Sequence, residues 1–196
     1  MRLIFDSPLP SGTHEALSGN SAQFARRRFL IAVGALALAP LNAPYAAVDD
    51  QRSLWFVHTH TGEALSVVYF QRGHYIAQSL ERVSHFLRDF RTNDVHPIDP
   101  ALLDILFDLH AQAQHDGPFE VISGYRSPET NATLRSRSSG VAEHSLHMQG
   151  RAIDIRLRGV STRKLRDLAI ALHRGGVGFY PVSDFVHVDT GRVRTW

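Results

Sequence analysis

His147 and Asp154 stand seven positions apart in Glu143-His144-Ser145-Leu146-His147-Met148-Gln149-Gly150-Arg151-Ala152-Ile153-Asp154. His187 comes later, in Phe185-Val186-His187-Val188-Asp189. Two imidazoles and one carboxylate are the donor set of an open zinc site, where three protein ligands leave a fourth position for water. Ile153, Ile155 and Leu157 alternate with Asp154, Arg156 and Arg158, the period of a half-buried strand. Asp154 is therefore expected on one face of a strand, with His147 on the loop leading into it and His187 on a later strand. The chain has no cysteine, which excludes disulfides, thiolate metal sites and a cysteine nucleophile. Any metal must be held by His, Asp or Glu.

The other histidines make weaker cases, and a total of 12 proves no metal by itself. His58 and His60 alternate along a predicted strand, where a His-x-His pair can bind metal but paired strand histidines are commoner. His85 reads as a helix-flank residue. His144, His173 and Tyr180 read as cleft lining or helix-end caps. Asp189, two residues from His187 and on the same strand face, is placed to hold that imidazole from behind.

The elements that must position these groups are legible in outline. Residues 54–61 and 64–70 are apolar runs around Thr61-Gly62-Glu63 and read as a β-hairpin. Leu80, Val83, Phe86, Leu87 and Phe90 have helical spacing over 79–91. Asp99-Pro100 reads as an N-cap followed by proline at the first helical position, opening a second helix that Gly117-Pro118 stops. A short strand over 119–122 ends at Ser123-Gly124-Tyr125-Arg126-Ser127-Pro128, and a helix runs from there to about residue 135. Ser161 caps a helix with Leu165, Leu168, Ala169 and Leu172 inward, closed by Gly175-Gly176. Two strands, 177–180 and 185–189, end the pattern. The expectation is an α+β domain with a small, largely antiparallel sheet.

Residues 1–47 differ in kind. Arg26-Arg27-Arg28-Phe29-Leu30 precedes an apolar run over 29–41, the layout of a secretory signal. Arg-Arg-x-Phe-Leu resembles the twin-arginine export signal. The run is shorter than the roughly 20 residues a spanning helix needs. A cleaved signal cut within 42–48 is favoured over an uncleaved anchor, leaving residues 48–196 as the domain, in the periplasm and without stable membrane insertion. The net charge of +2 resides in this leader, which has four arginines against two acids. The remainder is balanced, so nucleic-acid binding gains little support.

Ser145-x-His147-x-x-Gly150-x-Ala152-x-Asp154 resembles the signature of the zinc D-Ala-D-Ala carboxypeptidases and related dipeptidases, whose fold is shared with the hedgehog signalling domain. Ser123-Gly124-Tyr125-Arg126-Ser127 resembles the strand-end motif whose arginine lies over the substrate. Phe185-Val186-His187-Val188-Asp189-Thr190-Gly191, with Arg194-Thr195-Trp196, resembles the murein endopeptidase K branch. The likeness spans residues 54–196. It implies that His147, Asp154 and His187 bind zinc, that Arg126 polarises the scissile carbonyl, and that Ser145 contacts substrate or orders its loop. Peptidoglycan stem peptides would be the substrate, cut at a cross-link between two diaminopimelate residues. A D,D-carboxypeptidase or dipeptidase, and a silent zinc module that binds cell-wall peptide, are the alternatives. Many relatives place a glutamate three residues before the last histidine as general base. Asp184 stands there, one methylene shorter, with Asp189 and Glu143 as the other candidates.

Overall fold

The computed structural model describes residues 50–138 and 140–196, so the export segment expected over 1–47 lies outside them. The expected hairpin forms from β1 (Arg52–His58) and β2 (Ala64–Gln71), with Gly62 at φ 73° in its turn. Then come β3 (His74–Tyr75), α1 (Ala77–Phe86), α2 (Pro100–Ala113) and β4 (Phe119–Ser123). Next are helix α3 (Pro128–Arg137), a one-turn 3-10 helix (Leu146–Gln149), β5 (Ala152–Leu157) and α4 (Thr162–Leu172). The chain closes with β6 (Gly176–Tyr180), β7 (Phe185–Asp189) and β8 (Arg194–Thr195).

Helix starts obey local chemistry. Asp99, Ser127 and Ser161 accept bonds from the backbone N–H of Ala101, Thr130 and Lys164, and Pro100 and Pro128 occupy first-turn positions that need no N–H. Helix α1 stops earlier than its apolar spacing predicts. Its last turn is diverted because the Leu87 carbonyl accepts from Tyr125 N at 2.7 Å, and Asp89 then turns inward. Helix α4 ends at His173 in the left-handed region, φ 50°, two residues before the glycines expected to close it.

The expected α+β class holds, but the sheet is larger than expected and mixed. Eight strands run in the order β3-β2-β1-β4-β5-β7-β6-β8. The β1–β4 and β6–β8 pairs are parallel and the others antiparallel. Two helices separate β1 from β4, a connection long enough for a parallel return. The edge strands β3 and β8 have two residues each, too few for any periodic signal.

One sheet face carries the core. Phe56, Phe119, Ile153, Ile155, Val186 and Val188 pack with leucines of α2 and α4, all essentially removed from water. Because side chains alternate along a strand, Asp154 and His187 project from the opposite face. No helix among the described residues is long and apolar enough to cross a membrane.

Candidate active site

The site begins with a fault in strand pairing. Between Val121 and Ser123 the β4–β5 register shifts, so Ser123 pairs with Asp154. A bulge of this kind bends a strand and re-aims the residues beyond it. The first of these is Gly124, whose carbonyl accepts from Nδ1 of His147 at 2.7 Å. Only glycine fits, since a Cβ at 124 would lie 2.5 Å from the Leu87 carbonyl oxygen. His147 rides on the 3-10 turn, which Ser145 caps by accepting from His147 N at 3.3 Å. Gly150 ends the turn at φ 65°, where a side chain would collide with the Pro97 carbonyl. A further bond from Arg126 N to the His147 carbonyl, 3.2 Å, ties this loop to the end of β4.

Asp154 and His187 face each other across the β5–β7 pairing. Nδ1 of His187 lies 2.9 Å from Asp154 Oδ1, and Nε2 of His147 lies 3.3 Å from the same oxygen. The two ring nitrogens are 3.2 Å apart. A tetrahedral ion with bonds of about 2.0–2.1 Å separates its ligand atoms by about 3.3 Å, so these spacings fit. The proton inventory fits as well. A carbonyl can only accept, so His147 donates from Nδ1 to Gly124. His187 donates from Nε2 to the Asp189 carboxylate at 3.1 Å. Each neutral imidazole then turns a lone pair toward the other and toward the Asp154 carboxylate. With both imidazoles neutral, three lone pairs converge with no proton among them, an arrangement that a cation would satisfy. Among the described residues these are the three donors placed close enough to share one, and all three are buried.

The electrostatics agree for Asp154 and His147 and run the other way for His187. Burial opposes charge on Asp154, yet His147 and His187 hold its carboxyl well below the usual carboxylate range. Burial lowers His147 more than Asp154 raises it, which favours the neutral imidazole that a ligand must be. For His187, burial is outweighed by Asp154 and Asp189, and its pKa is raised. Arg126 has its guanidinium 3.8 Å from Asp154 Oδ2 and 3.4 Å from Asn131 Oδ1. Burial lowers its pKa, opposed first by Asp154. Its buried Nε has no hydrogen-bond partner among the described residues. An ion pair of Arg126 with Glu129, three positions from it on the next helix, is not found among them.

These groups sit in a cleft of about 480 Å³, which Ser145, Leu146, Tyr180, Phe185 and Trp196 also line. The structure does not bring Asp184 into it. Asp184 lies in the β6–β7 turn at φ 50°. Its Oδ1 accepts from the Thr162 hydroxyl at 2.7 Å, at the start of α4, and its Oδ2 lies 3.5 Å from Arg156. Glu143 turns outward to Arg135 at 3.2 Å. Asp189 stands behind His187 rather than in the cleft, so Asp154 is the one carboxylate among the described cleft-lining residues. His144 lines the cleft; His173 caps α4. His58 and His60 are remote, packed around Phe86 and Phe90. Two contributors escape sequence reasoning. The Gly124 carbonyl is a backbone group that no residue type announces. Asn131 holds Arg126 and the Ala142 carbonyl from inside α3, where nothing in its neighbours marks it.

An α+β chain with a buried His-Asp-His group that could hold a metal, and an arginine beside it in a cleft, has the build of a hydrolase. A family profile described as peptidoglycan L,D-endopeptidase MepK matches residues 46–196. The chain belongs to this family. It is 41% identical over 177 residues to the peptidoglycan L,D-endopeptidase MepK of Escherichia coli K12, covering 88% of this chain and 97% of the relative. It is 40% identical over 167 residues to the probable peptidoglycan L,D-endopeptidase MepK of Haemophilus influenzae, covering 85% and 90%.

Proposed function

We propose that this chain is a zinc-dependent murein endopeptidase. It hydrolyses peptide cross-links of peptidoglycan between two diaminopimelate residues, and so serves growth or remodelling of the wall. Residues 1–47 would direct export to the periplasm by the twin-arginine route, and residues 48–196 would form the peptidase domain. We infer for that domain the architecture of the D-Ala-D-Ala peptidases and the hedgehog signalling domain. Family membership supports the substrate class. An L,D-endopeptidase cuts between centres of opposite hand, as a diaminopimelate cross-link requires.

The observation that carries the reading is the convergence of His147 Nε2, His187 Nδ1 and Asp154 Oδ1 beneath Arg126. The three would hold the zinc. When bound, such an ion supplies Lewis-acid polarisation of a carbonyl and acidifies water near neutral pH. The protein's own groups do the rest. Arg126, fixed by Asn131 and Asp154, offers donors where the carbonyl oxygen gains charge. Ser145 keeps His147 aimed by capping its turn. Asp189 and the Gly124 carbonyl fix the tautomers of the two imidazoles. Asp184 could act as general base only by leaving Thr162. That placement favours a second reading, a zinc module that binds wall peptide without turnover.

Digestion of purified sacculi separates these. The endopeptidase reading expects cross-linked muropeptides to become monomers, identified by mass. Chelator should stop the reaction and zinc restore it. Loss of terminal D-Ala alone would indicate a carboxypeptidase. Metal-loaded protein that releases nothing would support the binding module.

A further inference from the structure

The cleft holds a second device beside the three donors, built from Gly178, Trp196 and Tyr180. Gly178 pairs directly with His187 across β6 and β7. A Cβ there would lie 2.7 Å from the Trp196 indole, so the glycine opens a slot that the indole fills. The ring centroids of Trp196 and His187 are 5.2 Å apart. Trp196 is 50% exposed, unusual for so large an apolar side chain, yet it is held on several sides. Its backbone pairs with Val177 and Phe179, and the Arg194 guanidinium lies 4.7 Å over its ring while binding Asp189.

An indole N–H can only donate. That of Trp196 donates to the Tyr180 oxygen at 2.9 Å. The Tyr180 ring stacks on Phe185 with centroids 4.5 Å apart, which fixes its plane. With one lone pair taken by the indole, the phenol proton must point elsewhere, and Tyr180 lines the cleft together with Arg126 and the three donors.

We propose that Tyr180, aimed by Trp196, is a catalytic residue that donates a hydrogen bond to the scissile carbonyl oxygen, beside Arg126. The proton stays on the phenol throughout, so no bond to it forms or breaks. Trp196 is a positioning residue acting through Tyr180. The assignment rests on the peptidase reading above and deepens it, by giving the developing negative charge a neutral donor as well as a cationic one. A fixed donor of this kind is worth on the order of 10²–10³ in kcat.

The test uses the domain as it is, with a soluble muropeptide dimer joined between diaminopimelate residues. Y180F should lower kcat about 100-fold, with KM, zinc content and Tm close to wild type. W196F keeps an aromatic ring but loses the N–H, and should lower kcat about 10-fold, since a misaimed donor forfeits part of that gain. The double variant should be no slower than Y180F, because the indole acts only through the phenol. An active wild type with undiminished kcat in Y180F overturns the Tyr180 assignment alone. Additive losses in the double variant overturn the role given to Trp196. A metal-loaded wild type without turnover removes the peptidase reading and this assignment together.

Discussion

Asp189 accepts the Nε2 proton of His187 at 3.1 Å while its own carboxylate is wholly enclosed. The same carboxylate accepts from Gly176 N at 3.0 Å, Gly191 N at 2.8 Å and Arg194 at 2.7 Å. Every one of its partners is a donor. Asp189→Asn would put an amide N–H₂ among them, leave at least one donor unpaired and release the His187 tautomer. Loss of such a supporting partner costs about 10–100-fold in metal affinity. Chelator competition should show that fall for zinc, with Tm lowered as well. Unchanged affinity would mean that the His187 ring is held by its packing alone.

Asp184 gives the opposite expectation. Its carboxylate is spent on Thr162 and Arg156, outside the cleft. Asp184→Asn keeps the shape and the bond from the Thr162 hydroxyl. Turnover on muropeptides should stay within about twofold of wild type, with a stability change within about 0.5 kcal/mol, as for other surface positions. A loss of 100-fold or more would show that Asp184 leaves Thr162 during reaction and serves as the base.

How much of this is legible depends on what kind of signal each part leaves. The three donors are readable because their residue types are rare together and alternation fixes Asp154 and His187 on strand faces. The α+β class and the helix caps at Asp99, Ser127 and Ser161 are readable for the same local reasons. The sheet's full width is not, because β3 and β8 owe their existence to neighbours rather than to their own two residues. The side of the turn to which Asp184 points is not either. A left-handed backbone at a non-glycine residue is a tertiary outcome, and it redirects a side chain that the family resemblance would set beside His187.

Arg126 depends on a residue far from it in sequence. Asp89 is fully buried and accepts from both the backbone N–H and the hydroxyl of Ser127, each at 2.9 Å. Burial works to raise its carboxyl, and hydrogen bonds from Thr130, Ser127 and Arg91 hold it below the usual range instead. This contribution is complete above the unfolded carboxyl pKa of about 4 and is lost as pH falls through the lower folded value. Asp89→Ala removes it at every pH and leaves the Ser127 donors unpaired, a cost of about 2–3 kcal/mol. Chemical denaturation should show that loss, and kcat should fall because the turn carrying Arg126 loosens. Metal content should not change, since none of the three donors touches Asp89.

His58 sets a second pH window, remote from the cleft. It is 1% exposed, its Nδ1 accepts from His60 N at 3.2 Å, and its Nε2 has no partner among the described residues. Burial first, then His60, lowers its pKa to about 4; Glu63 opposes this, and Arg88 and Arg91 add to it. The unfolded chain therefore takes up a proton near pH 6.5 that the folded chain refuses until about pH 4. Stability is expected to fall as pH is lowered across that interval, by an amount on the order of 3 kcal/mol. His58→Phe suits the contacts with Phe86 and Phe90 and cannot titrate. Its Tm should drop less than that of wild type between pH 7 and pH 4.5, by several degrees. Parallel curves for the two proteins would mean that His58 finds a partner for its proton in the folded state.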